Sequence, residues 1–283
     1  MKIRFWLAVA LAAAGCSTAH AQQAGDTVVQ LGYGHVLTLD NSAPLHTTLN
    51  TSVLTDLVGI RSPFDSPGTS SAVGDSDTEF FALVHYVTDH IAVSAGGGVP
   101  AKFKLFGSGT IRPTGPTGSI FSVDLGSSAN NPLASVKQWT PALLAQYYFG
   151  APNDELRPFI GVGASYTWFT QVNLNPNFEA ASEANFGNLL ALANGKPTPT
   201  HVTAYASSSF QPLFNLGVNQ HIAGHWSLTA SFTYAMLHSN ADIKIKARDD
   251  TVLSDSTTRI NINPVAMTLF LSYDLGPGIP FFH

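Results

Sequence analysis

Few side chains in this sequence are spaced for covalent chemistry. Histidines are scattered at His35, His46, His85, His90, His201 and His238, with one close pair, His221 and His225. Two histidines four apart on a helix would face one zinc ion, but Ala223-Gly224 between them predicts a turn exposed to water. Gly161-x-Gly163 opens like a loop that cradles pyrophosphate on backbone N–H groups. Tyr166 stands where the third glycine would be, and no helix follows. These glycines and Gly96-Gly97-Gly98 read better as strand glycines that permit bending or leave internal space. No G-x-S-x-G elbow is present, so no catalytic residue, metal ligand or cofactor site is assigned. A hydrolase that assembles Ser and His from separate strands is the one enzyme reading that spacing leaves open.

The elements holding these residues must suit an unusual composition. The chain has 283 residues, of which only 11% are charged and 11% aromatic, with 24 Gly and 17 Pro. A soluble protein of this length carries about 25% charged residues to solvate its surface. No apolar stretch reaches the 18 residues of a spanning helix, which leaves strands as the way through a membrane. The net charge of −5 and the lack of a basic stripe exclude nucleic acid as a partner.

Residues 1–21 read as an export signal: Lys2 and Arg4, an apolar Phe5–Ala14 stretch, and an A-x-A site at Ala19-His20-Ala21. Mature residues 22–283 then form a single domain. A competing pattern, Ala13-Ala14-Gly15-Cys16, would instead lipidate Cys16. Under simple cleavage the sole cysteine is lost, and with it any thiol chemistry.

Strand-like runs alternate with connections whose lengths follow a rule. The runs are 27–39, 78–87, 91–105, 141–149, 157–169, 209–222, 226–237 and 259–275. Long polar connections alternate with tight turns such as Thr88-Asp89-His90, "GAPNDELR" (Gly150–Arg157) and Ala223-Gly224-His225. The fold expected is an all-β, eight-stranded antiparallel up-and-down transmembrane barrel, long loops outside and short turns in the periplasm. A soluble lipocalin-like barrel is the rival fold. The connection "FEAASEANFGNLLALA" (Phe178–Ala193) predicts a short helix in the third outer loop, packed at the barrel mouth.

Period-two alternation assigns faces. In the seventh run Trp226, Leu228, Ala230, Phe232 and Tyr234 oppose Ser227, Thr229, Ser231 and Thr233. In the fifth, Ile160, Val162 and Tyr166 oppose Phe159, Ser165 and Thr167. The apolar face meets lipid, and Tyr147, Phe149, Tyr166, Trp168 and Trp226 fall where interface aromatics sit. Leu144, Phe159, Leu213 and Phe270 fall on the inward face, either as a conduit lining or as filling of a small barrel. The second run resists assignment, because Phe80, Phe81, Leu83 and Val84 make both faces apolar. Asp65, Asp75, Asp77, Asp249, Asp250 and Asp255 lie in outer loops, as solvated charges or as sites for cations bridging lipopolysaccharide.

"WTPALLAQYYFG" (Trp139–Gly150) and "RPFIGVGASYTWF" (Arg157–Phe169) resemble the OmpW family of eight-stranded outer-membrane barrels, which includes AlkL-type proteins. "AGDTVVQLGYG" (Ala24–Gly34) and "YVTDHIAVSAGGGVPAKFKL" (Tyr86–Leu105) support the resemblance. It implies a location in the bacterial outer membrane among lipid and lipopolysaccharide, and insertion by the barrel-assembly machinery. It also implies passage of small hydrophobic solutes that leave sideways through the wall, with no enzyme activity. Two other functions stay open: an adhesive or receptor-like barrel acting through its outer loops, and a small ion pore. Such barrels end on an aromatic residue, whereas this one ends its strand near Leu275 with Phe282 beyond it.

Overall fold

The computed structural model describes residues 22–57, 59–114, 118 and 121–277. The leader over residues 1–21, Cys16 and Phe282 lie outside them. Eight antiparallel strands close into a barrel: β1 Asp26–Leu37, β2 Ser76–Tyr86, β3 Ile91–Gly98 continuing as Ala101–Ser108, and β4 Ala134–Trp139 continuing as Ala142–Tyr148. The circuit continues through β5 Leu156–Leu174, β6 Ser209–Ala223, β7 Trp226–Ala235 and β8 Val265–Pro277. Each strand pairs with the next, and β8 pairs with β1 from Asp26↔Pro277 to Leu37↔Val265. Closure satisfies the backbone where hydrocarbon offers no hydrogen bonds.

The alternation of faces holds along the wall. On β7, Ser227, Thr229 and Ser231 are buried while Trp226, Leu228 and Phe232 are exposed. On β8, Thr268, Phe270, Ser272 and Asp274 are buried against exposed Met267, Leu269, Leu271 and Tyr273. β2 is resolved by the neighbours that each residue meets: Phe81 points out, and Phe80 and Val84 point in.

β4 begins at Ala134, seven residues before the expected start at 141, and two further expectations are revised. The 259–275 run divides, because Pro264 supplies no N–H and Asn263 adopts a φ of 40°. Its first residues belong to a separate strand, Val252–Asn261. The long outer connections are also more ordered than their polar composition indicates. Segments Leu45–Leu49, Phe64–Ser66, His201–Ala206, His238–Lys246 and Val252–Asn261 build a second, five-stranded sheet above the barrel.

The helix expected over 178–193 is present as Pro176–Ser182, a π turn Glu183–Gly187 and Asn188–Ala193. Asn175 caps its start by accepting the Asn177 N–H at 2.9 Å, and Pro176 occupies the first turn, where its missing donor costs nothing. Phe178, Phe186 and Leu190 join Leu45, Leu49 and Phe64 in the core of this outer region. Gly187 permits the close approach, since a Cβ there would lie 2.8 Å from Ile245 Cγ2. No described helix is long and apolar enough to cross a membrane.

Candidate solute conduit

Two aromatic rings bracket the apolar band of the wall. At the short-turn end Tyr147 meets Phe149 edge-on with ring centres 5.1 Å apart, and Trp226 meets Tyr273 at 4.7 Å. At the other end Trp168 lies 5.9 Å from Tyr166 and stacks on Trp139 at 5.8 Å. Trp139 and Tyr273 join these exposed aromatic groups, although the sequence alone does not single them out. From Phe159 to Trp168 β5 spans about 30 Å along the strand, or about 23 Å along the membrane normal at the ~40° tilt of such barrels. That matches the apolar band of an outer-membrane barrel, about 25 Å.

Leu144, Phe159, Leu213 and Phe270 all line one internal cavity of about 170 Å³. Its larger rings sit over glycines of neighbouring strands. A Cβ on Gly32 would lie 2.7 Å from Phe270 Cδ1, one on Gly34 2.8 Å from Phe80 Cε2, and one on Gly217 2.5 Å from Phe159 Cζ. The strand glycines thus leave room inside the wall for aromatic side chains. None of the described residues lining the cavity carries a charge.

The cavity has a floor. Tyr86, Tyr148 and Phe159 pack with Val28, Val84 and Ala92. Arg157 is buried beneath them, its guanidinium 5.7 Å from the Tyr86 ring centre and 5.3 Å from that of Tyr148. It donates to the carbonyl oxygen of Gln22 at 2.8 Å and to that of Asp89. The Tyr86 hydroxyl donates to Gln22 Oε1 at 2.7 Å. The sequence places Arg157 at the end of the "GAPNDELR" turn. It is instead the first inward residue of β5, in phase with Phe159, so period two already pointed it inside.

The wall beside the cavity has a break in its hydrogen-bond ladder. The lower β3–β4 ladder ends at Gly96↔Ala142, and the upper one resumes at Ala101↔Gln138. Gly97–Pro100 and Trp139–Pro141 have no ladder partners across this seam. Pro100 and Pro141 supply no N–H, which helps to end each ladder. Gly97, Val99 and Thr140 belong to the cavity lining, so the cavity reaches the break. Trp139 places the break at the upper aromatic ring. Above it lies a second apolar cavity of about 90 Å³ in the outer region, and Phe103 and Gln138 line both.

Residues 68–195 match the model described as the OmpW family. Outer membrane protein W of Vibrio cholerae is 26% identical over 255 residues, 90% of each chain. Outer membrane protein W of Salmonella typhi is 28% identical over 125 residues, 44% of this chain and 50% of that protein. Over these residues the chain is similar to proteins of the OmpW family. The crystal structure of OprG from Pseudomonas aeruginosa superposes with a TM-score of 0.64 at 17% identity, covering 91% of this chain and 99% of that one. The solid-state NMR structure of AlkL in lipid bilayers gives 0.50 at 16% identity, covering 96% and 100%. The chain is an outer-membrane barrel, which removes the soluble lipocalin-like alternative.

The outer-loop aspartates of this barrel are dispersed rather than clustered. Asp65 pairs with His46 at 2.7 Å, Asp77 with His35 at 2.8 Å, Asp249 with Lys196 at 3.3 Å, Asp250 with His201 at 3.4 Å and Asp255 with Lys244 at 3.0 Å. Asp75 accepts the Thr38 N–H at 3.0 Å. Among the described residues no three metal-ligating side chains come together. Hydrogen bonds from Thr251 first, then Lys196, hold the Asp249 carboxyl below the usual carboxylate range.

Proposed function

We propose that the barrel is a narrow conduit for small hydrophobic molecules, which enter from the outer region and leave sideways into the bilayer. The observation that carries the reading is an uncharged cavity that is packed shut below and reaches the break in the β3–β4 ladder. Lipopolysaccharide makes the outer leaflet a poor solvent for apolar solutes. A wall opening at the upper aromatic ring delivers them past it, and no covalent chemistry is needed. In this reading Leu144, Phe159, Leu213 and Phe270 line the path, and Phe103 divides the outer compartment from the lumen. Wetting of such a lining favours apolar over ionic solutes without a dedicated filter.

The test is entry of a labelled small aromatic and of a sugar of similar size into cells lacking or making the folded barrel. Faster entry of the aromatic alone supports the conduit, and equal entry with and without the barrel sinks it. Leu144→Asp or Phe270→Asp in a barrel that still shows heat-modifiable migration should abolish the gain. A second reading, binding through the outer loops, is favoured by the apolar tip formed by Val53 and Leu57, 83% and 80% exposed. Its signature is loss of surface attachment on shortening residues 50–60, with solute entry unaffected. The packed floor speaks against a constitutive ion pore, for which stable conductance in planar bilayers is the test.

A further inference from the structure

The cavity lining mixes apolar side chains with uncharged hydrogen-bonding groups around the barrel. In the closed circuit β4-β3-β2-β1-β8-β7-β6-β5, the strand opposite β3 is β7 and the strand opposite β4 is β8. The seam that lacks ladder pairs between β3 and β4 therefore lies opposite the β7–β8 pair. β7 lines the cavity with Thr229, Ser231, Thr233 and Ala235, three hydroxyls and a methyl group. Ser231 Oγ and Thr268 Oγ1 of β8 are hydrogen-bonded at 2.7 Å. Thr233 Oγ1 accepts from Asn215 Nδ2 at 2.9 Å, and Asn215 Oδ1 accepts from Gln146 Nε2 at 2.9 Å. Beside the seam Phe80, Ala82 and Leu144 are accompanied by Ser94, Gln138, Thr140 and Gln146.

We infer that the preferred solute is a neutral amphiphile: an apolar chain or ring bearing one uncharged hydrogen-bonding group, such as an alcohol. The inference rests on the conduit reading and specifies its substrate class. A hydroxyl carries one donor and two acceptor sites, so the Ser231–Thr268 pair keeps lone pairs for a ligand after bonding internally. The solute's polar group lies on the β7–β8 hydroxyls and its apolar part on Phe80, Phe159, Leu213 and Phe270. A pure hydrocarbon displaces water from the hydroxyl wall without replacing its hydrogen bonds. A carboxylate or an ammonium enters an uncharged cavity with no counter-charge and is excluded by desolvation.

The experiment compares labelled decane, 1-decanol and decanoate, measuring initial entry into non-growing cells and taking the difference between cells with and without the full barrel. The expected result is barrel-dependent entry of decanol about tenfold above that of decane, the worth of one net hydrogen bond, and none for decanoate. The double variant Ser231→Ala/Thr268→Val removes both partners of one bond and leaves no buried orphan, so the fold tolerates it. It should bring the decanol-to-decane ratio down towards one. Thr233→Val, with Asn215 still donating to the Phe232 carbonyl at 3.3 Å, is an independent variant expected to lower the ratio in the same direction. Equal barrel-dependent entry of decane and decanol, or entry of decanoate at the decanol rate, overturns the amphiphile inference while the conduit stands. Absence of barrel-dependent entry for all three overturns the conduit and this inference with it.

Discussion

Arg157 gives the sharpest test of the packed floor. Its guanidinium makes two charge-assisted hydrogen bonds, worth about 1.5–3 kcal/mol each, and two ring contacts of about 0.5–1 kcal/mol each. Against these stands the desolvation of a buried cation whose Nε has no partner. Arg157→Met refills much of the volume and removes the charge, so the net loss should be about 2–3 kcal/mol rather than the full sum. Arg157→Lys keeps the charge underground, but a single ammonium cannot span two carbonyls as a planar fork does. Lysine should therefore cost more than methionine, although it is nearer in charge. The assay is the urea midpoint of barrel unfolding in lipid vesicles, read by heat-modifiable migration, with conductance in planar bilayers measured alongside. Either variant should let small ions through the lower end. A lysine variant more stable than the methionine one, or both within about 0.5 kcal/mol of the native barrel, would falsify the assignment of the guanidinium as the floor's fastening.

Other substitutions probe the remaining parts. Phe103→Ala should merge the outer cavity with the lumen, raising entry of apolar solutes while costing about 3 kcal/mol in unfolding free energy. Gly217→Val drives a side chain into the Phe159 ring; a loss of at least about 1–3 kcal/mol in the urea midpoint is expected, and an unchanged midpoint would show that the ring is free to move. Pro100→Ala together with Pro141→Ala restores two backbone donors at the seam, and slower entry of apolar solutes is the outcome expected if the seam is the exit. Burial first, then Glu179, pushes the Glu183 carboxyl up, with His201 partly opposing. The folded state then holds that proton more tightly, so this contribution is favourable at acid pH and is lost as pH rises through the raised value. Glu183→Gln should flatten that dependence and slow amide exchange over residues 176–193 at neutral pH.

The wall was legible in the sequence because lipid imposes a strict rule on it. On β7 and β8 every inward and outward assignment follows from period two, and the alternation of long and short connections orders the strands. β2 was ambiguous because both of its faces are apolar, one towards lipid and one towards a lumen that is itself largely apolar. The outer sheet was missed for a different reason. Leu45–Leu49 does alternate between buried and exposed, but over five residues, and its buried face includes Thr47, hydrogen-bonded to Ser256 at 2.9 Å. Hydroxyls that satisfy one another across strands read as loop composition until the partner strand is known. The hydroxyl pair of the lumen was hidden similarly, since Ser231 and Thr268 are remote in sequence and meet only where β7 pairs with β8.

The position of that seam follows from the cost of unpaired backbone. In hydrocarbon each unsatisfied N–H or C=O costs several kcal/mol, so a ladder cannot be interrupted at mid-membrane. At the level of Trp139 and Trp168 headgroups and water are within reach, and the same interruption becomes tolerable. Prolines reduce the cost again, because Pro100 and Pro141 bring carbonyls but no donors to the gap. Neighbouring strands take up part of what remains: Thr78 Oγ1 donates to the Val99 carbonyl at 2.6 Å, the Val99 N–H to the Glu79 carbonyl at 2.8 Å, and the Tyr166 N–H to the Pro141 carbonyl at 3.2 Å. One rung lower, at Gly96↔Ala142, neither water nor proline is available and the ladder is intact. An exit through the wall of an eight-stranded barrel therefore belongs at the upper aromatic ring. A proline moved down to Ala142 should destabilise the barrel by more than its loss at Pro141 would, by about the cost of one orphaned carbonyl in hydrocarbon.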